Sequence, residues 1–127
     1  MLKRAYRQEG NLDMPFREWR HSFKLDPDRK ISDADLKRVC ESGTDAIIVG
    51  GSSGVDYENI QDLLLRIRKH ALPCVLEVSS LNAAVPGFDQ YFIPIVLNTR
   101  QSRWFIGEHQ QAVKRYGEWI PWERVSA

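Results

Sequence analysis

Parallel strands joined by helical crossovers, an α/β fold, are predicted by three features of the sequence. Short apolar runs with β-branched bias, at residues 46–49, 74–78 and 91–98, read as buried strands. Segments with apolar residues at helical spacing lie between them, and Gly, Pro or a capping polar residue marks each change. The resulting order is β-α-β-α-β-(short)-β-α. Such a chain builds either part of a closed (β/α)₈ barrel or an open doubly wound sheet.

In chain order, residues 1–13 are polar and lack periodicity, and Met14 offers a second start. Residues 1–18 are therefore expected to be a mobile or mis-started tail, followed by one unit over 19–127. A first strand is centred on Phe23 within residues 19–27 and is stopped by Pro27. Ser32 can cap a helix with an apolar stripe of Leu36, Val39 and Cys40, ended by Gly43. After the 46–49 strand, Asp56 can cap a second helix in which Ile60, Leu63, Leu64 and Ile67 fall at i, i+3, i+4, i+7. Arg66, Arg68, Lys69 and His70 in its last turn are expected to be solvated, where cations suit the helix dipole.

The third strand, residues 74–78, carries Glu77 among apolar neighbours. A carboxylate there must be paired or face a cavity, and Lys24 is its candidate partner. Residues 81–88 are too short, and too broken by Pro86 and Gly87, for a normal crossover helix, which leaves one side of the sheet open. The fourth strand spans 91–98 with Pro94 as a misfit, at a bulge or at a position free of ladder bonding. Thr99 or Ser102 then caps a helix bearing Phe105, His109, Ala112, Val113 and Tyr116, closed by Gly117. The last residues, with Trp119, Ile120, Trp122 and Val125, hold much apolar surface for a free tail.

Composition narrows the function. The 127 residues, 43% hydrophobic and 28% charged, describe an ordinary globular sequence with material for one core. Eighteen Lys and Arg are spread among 17 acids, so no clustered basic face points to nucleic acid. No apolar run approaches the ~20 residues of a membrane span, and no signal peptide is visible, so a cytoplasmic protein is expected. Cys40 and Cys74 lie in apolar settings without His or Cys at metal-ligand spacing, as buried reduced thiols do.

Two places carry candidate chemistry. Gly50-Gly51-Ser52-Ser53-Gly54 opens a buried strand onto a helix, where backbone N–H groups can approach an anion without Cβ obstruction. It is neither a Walker A loop nor a GxGxxG dinucleotide loop. Lys24 and Asp26, two apart in a strand, point the same way at its carboxyl end, as a site or as a surface ion pair.

Five stretches in order resemble the polyprenylglyceryl phosphate synthase family, its bacterial heptaprenylglyceryl branch above all. They are FKLDP, CESGTDAIIVGGSSGV, PCVLEVSS, VPGFDQYFIPIVLN and the W-F-I-G-x-H-Q helix, within residues 19–116. The resemblance implies the amino-terminal half, four βα units with an irregular third crossover, of a TIM-type (β/α)₈ barrel, truncated before the fifth strand. It implies a prenyltransferase that moves a polyprenyl (heptaprenyl) group from its diphosphate to the 3-hydroxyl of sn-glycerol 1-phosphate with Mg2+. Carried over, Lys24 contacts glycerol 1-phosphate, and Asp26 and Ser52 belong to the magnesium site. Tyr116 could limit prenyl length, though core packing is its simpler role.

The family's tyrosine and glutamate motif on the sixth strand, and its glycine-rich phosphate loops after strands seven and eight, have no counterpart in these 127 residues. The catalytic base is therefore unassigned, and an incomplete enzyme is expected. A homo-oligomer is expected, since either outer strand of a half-barrel exposes an unpaired edge. Two alternatives are a non-catalytic, self-associating half-barrel and a small α/β domain that binds a phosphate ligand.

Overall fold

The structure, a computed structural model, describes residues 16–102 and 106–126, apart from the Asn82 side chain. Five parallel strands lie in sequence order: β1 (Ser22–Leu25), β2 (Ala46–Val49), β3 (Cys74–Glu77), β4 (Gln90–Phe92) and β5 (Val125–Ser126). Helices α1 (Asp33–Glu41), α2 (Tyr57–Ile67) and α3 (Glu108–Tyr116) follow β1, β2 and β4. Because the strand order is the chain order, the sheet is half of a TIM-type barrel and not a doubly wound sheet, whose order reverses.

Local signals place the first two helices. Ser32 Oγ accepts from Asp35 N at 3.1 Å, and a left-handed Gly43 (φ 91°) follows the end of α1. Asp56 opens α2 with a full capping box: Asn59 N donates to Asp56 Oδ1 at 2.9 Å, and Asp56 N donates to Asn59 Oδ1 at 3.0 Å.

Strand register divides the side chains between two faces. Lys24 pairs with Ile48 and Ile48 with Val75, so these share one face with Glu77. Phe23, Leu25, Ile47, Val49, Cys74 and Leu76 take the other face and pack on Leu36, Ile60, Leu63, Leu64 and Ile67 of the helices. β2 is buried on its helix side, whereas Ile48 on the inner side is only half-buried. Both cysteines are buried and free, as expected. Burial pushes the Cys74 thiol up to about 12.

The structure corrects several expectations. A fifth strand is present: Val125 and Ser126 pair with Tyr91 and Phe92, so the boundary placed before it shifts. A short turn at Trp122–Arg124 delivers these residues to β4, and Ile93 N donates to Ser126 O at 2.8 Å. β4 stops at Phe92 instead of reaching residue 98, two residues short of Pro94, which cannot donate to a ladder. Arg66 and Arg68 are not merely solvated. Arg66 Nε donates to Asp33 Oδ1 at 2.8 Å, tying α2 to α1. Arg68 donates to Asp89 Oδ2 at 2.7 Å and to Gly87 O at 2.6 Å, and so clamps the irregular third crossover.

That crossover contains only a turn at Leu81–Ala83, as its Pro and Gly foretold. The expected tail falls mostly outside the described residues, but Phe16–Glu18 form a turn, and the Phe16 ring packs 5.3 Å from that of Phe92. Phe105 also lies outside the described residues. The α segment α3 is described from Glu108, but Ser102 is already helical and Gln101 N donates to Thr99 Oγ1 at 3.1 Å, in keeping with a cap at Thr99; α3 ends at Gly117, whose N–H donates to Val113 O at 2.9 Å. Among the described residues no helix is long and apolar enough to cross a membrane.

Candidate functional site

The carboxyl ends of β1, β2 and β3 open onto one cavity of about 1550 Å³. Lys24, Asp26, Gly50, Gly51, Ser52 and Glu77 all line it, so the three residues singled out from the sequence meet at one mouth. The wall beyond them is apolar, with Val78, Leu81, Val85, Ile93, Val113 and Trp119 along it. His109 and Tyr116 line the same wall without being buried in the core. The charged groups at the ends of β1 and β3 thus open onto a largely apolar cavity, with Glu108 and Arg124 the charged residues of its far lining.

Lys24 and Glu77 form the expected pair, Nζ to Oε1 at 2.7 Å. Both are partly open to solvent, at 50% and 27% exposure, so the pair contributes little stability. It lies across β2, whose next residue, Gly50, leaves the space they use. A Cβ there would come 2.9 Å from Glu77 Cβ and 3.4 Å from Lys24 Cε.

Asp26 is held just as closely. Its Oδ1 accepts from Asp28 N at 3.0 Å and lies over Gly51, where an added Cβ would stand 2.5 Å away. Gly54 (φ 67°) meets the Asp28 carboxylate in the same manner, at 2.4 Å from such a Cβ. The loop after β1 therefore interlocks with the loop after β2 through two carboxylates seated on two glycines. Ser79 Oγ donates to Gly51 O at 3.1 Å, which ties in the third strand.

The sequence indicated glycines for anion approach, and here two of them make room for acids. The α2 N-terminus already holds the Asp56 carboxylate, so the positive charge an anion would meet at this mouth comes from side chains, Lys24 together with Arg29 and Lys30 of the loop after β1. Asp28 and Ser79 were missed because neither falls on a periodic face. The Asp-x-Asp spacing of Asp26 and Asp28 was the one available signal.

Among the described residues, no group of three or more His, Cys, Asp and Glu could hold a metal. Magnesium needs fewer, because it keeps waters and takes substrate phosphate oxygens beside one or two carboxylates. Asp26 Oδ2 is 3.9 Å from Arg29 Nε, beyond hydrogen-bond length, and can face a cation. The Ser52 hydroxyl, exposed on the adjoining loop, is a second hard oxygen. The residues fit the ion.

Residues 14–126 match the PcrB family. The chain belongs to that family. Over 111 residues, 87% of the chain, it is 56% identical to heptaprenylglyceryl phosphate synthase of Geobacillus kaustophilus, covering 46% of that protein. Against the synthase of the same name from Anoxybacillus flavithermus it is 58% identical over 107 residues, 84% of the chain and 46% of the relative. The chain thus spans about half the length of the relatives it matches.

The PcrB fold also agrees with solved structures. The wild-type GGGPS from Thermoplasma volcanium superposes with a TM-score of 0.66 at 29% identity, covering 76% of this chain and 41% of that one. The (S)-3-O-geranylgeranylglyceryl phosphate synthase of Thermoplasma acidophilum, solved with its substrate sn-glycerol-1-phosphate, gives 0.67 at 23% identity, covering 85% and 46%. This second likeness speaks for the fold.

Proposed function

We propose that this chain forms the amino-terminal half-barrel of a prenyltransferase of the heptaprenylglyceryl phosphate synthase type. The reaction moves a heptaprenyl group from its diphosphate to the 3-hydroxyl of sn-glycerol 1-phosphate. One observation supports the reading: Lys24, Asp26 and Ser52 line one largely apolar cavity, in a chain 56% identical to a protein of that name. An allylic diphosphate needs both halves of such a cavity, a polar head and a long apolar wall.

In this reading Lys24 contacts the glycerol phosphate, while Asp26 and Ser52 face the diphosphate. Mg2+, held by Asp26 and Ser52, would neutralise charge that builds on the departing diphosphate. Asp26 is kept ready by the Gly51 notch and the Asp28 N–H, so its carboxylate need not be reoriented. The apolar wall shields the allylic carbon from water. No catalytic base is assigned in this chain. The reading includes a cytoplasmic location and a homo-oligomer; what supports the latter is the exposed apolar surface at Leu97, Trp119 and Trp122.

The test is prenyl transfer from heptaprenyl diphosphate to labelled sn-glycerol 1-phosphate with magnesium, using the 127-residue chain beside Asp26→Ala. Product that disappears in Asp26→Ala supports the assignment. Product that Asp26→Ala leaves unchanged removes Asp26 from the site, and no product removes the activity from this chain as it stands.

A further inference from the structure

The geometry points to Glu77 as the residue that sorts the two phosphoesters of the proposed reaction, admitting beside Lys24 the one that carries hydroxyls. It rests on the prenyl-transfer reading above.

Lys24 stands on β1 and Glu77 on β3, with β2 between them. Neighbouring strands lie about 4.8 Å apart, so the two backbones are roughly 10 Å from one another. Two long side chains leaning over Gly50 close that gap to a 2.7 Å contact. Such an arrangement contributes little to stability at this exposure, and a core-facing hydrophobe at 77 would contribute more. The placement is better explained by what the pair presents to the cavity.

An ammonium has three N–H donors, and one is spent on Glu77, leaving two for phosphate oxygens. The carboxylate beside them is an acceptor with a negative charge. Toward a phosphate oxygen it is repulsive; toward an O–H it is a hydrogen-bond partner. The two ligands differ in this respect. A diphosphate head carries more charge than a phosphate monoester and no hydroxyl, whereas glycerol 1-phosphate carries two hydroxyls beside its phosphate.

Without Glu77, Lys24 and the neighbouring Arg29 and Lys30 would favour the diphosphate by charge alone. With Glu77 within hydrogen-bond reach of the Lys24 nitrogen, charge without a hydroxyl is penalised and charge with one is accepted. Discrimination through a repulsive group is an efficient route to specificity, and a site that reads a hydroxyl rejects the analogue lacking it. Asp26, in the loop just after β1 and seated over Gly51, leaves the diphosphate its own station through the ion.

The experiment titrates the 127-residue chain, without magnesium, with sn-glycerol 1-phosphate, propyl phosphate and inorganic pyrophosphate by calorimetry. The unsubstituted chain is expected to prefer the glycerol ester to propyl phosphate by about tenfold, a modest value for a half-open site. Glu77→Gln keeps the shape and an acceptor for Lys24 but drops the charge, and should tighten pyrophosphate several-fold relative to the glycerol ester. Glu77→Ala also removes the acceptor, and should bring the preference over propyl phosphate to within about twofold.

Ratios that neither variant changes, or no preference in the unsubstituted chain, overturn the sorting role and leave the phosphate reading in place. A chain that binds none of the three, or binds them equally well as Lys24→Ala, overturns the phosphate reading and the sorting role together.

Discussion

The first three strands with α1 and α2 differ from the stretch running through β4, α3 and β5 in what their apolar residues accomplish. In the first region Ile47, Val49, Ile60, Ile67, Cys74 and Leu76 are buried against one another. In the second, α3, β4 and β5 contain no buried residue, and Leu97 and Trp119 are 80% and 83% exposed. Both regions are rich in apolar side chains, so hydrophobic content alone does not build a core. A core needs two elements whose apolar faces meet. α2 and the helix side of the sheet meet; α3 faces the cavity.

The largest effect that would sharpen this contrast is a cavity in the first region. Ile47→Ala deletes a fully buried side chain from the strand at the centre of the packing, and should cost about 2–5 kcal/mol in urea unfolding. A loss below 1 kcal/mol would mean that the core is not where the structure puts it.

A smaller effect lies at the seam between the regions. Asp89 Oδ2 accepts from Arg68 and from the buried Cys74 N–H at 2.7 Å each, so one carboxylate ties α2, β3 and the irregular crossover together. Asp89→Ala leaves that N–H unpartnered and the Arg68 guanidinium with Gly87 O but no carboxylate, and should cost about 2 kcal/mol. Hydrogen exchange should rise over residues 81–90 more than in α1; a uniform rise would show that the clamp does not separate the two regions.

The third test uses pH. Burial raises Cys74 to about 12 from an ordinary 9.0, only partly offset by the neighbouring Arg68. Burial, with Glu41 adding to it, raises Cys40 as well. A thiol raised in the folded state stabilises fully below its unfolded value, and that stability is lost as pH climbs from about 9 toward 12. The unfolded chain ionises while the folded one stays protonated, so moving from pH 8 to 10 should cost about 1.4 kcal/mol through Cys74. Cys74→Ala should flatten this alkaline limb whatever it does to stability at pH 7. An unflattened limb would place the titrating group elsewhere.

The same contrast explains what could be read in the sequence. The capped helix at Asp56, with four apolar residues at helical spacing, and the β-branched run at Ile47 were legible because local pattern and tertiary burial agree there. The Lys24–Glu77 pair was legible because a carboxylate among apolar neighbours demands a partner. β5 was not, since two residues cannot display a period, and its pairing is decided by a turn at Trp122–Arg124. The seats of Asp26 on Gly51 and Asp28 on Gly54 were hidden as well. They depend on how two loops meet, which neither loop encodes alone.

The smallest expected effect is the one that could break the comparison. Trp119 is the more exposed of the two tryptophans before β5, and its backbone N–H donates to Tyr116 O at 2.8 Å whatever side chain is present. At 83% exposure it removes little of its ring from water, so Trp119→Ala should change unfolding free energy by no more than about 0.5 kcal/mol. A core tryptophan would cost about 3–5 kcal/mol under the same substitution. A loss of that size in the isolated chain would show Trp119 covered in solution, and if it grew with protein concentration, the cover would be a second copy. A negligible loss would leave the ring as wall of an open trough, where its apolar face is available to a ligand and the fold does not depend on it.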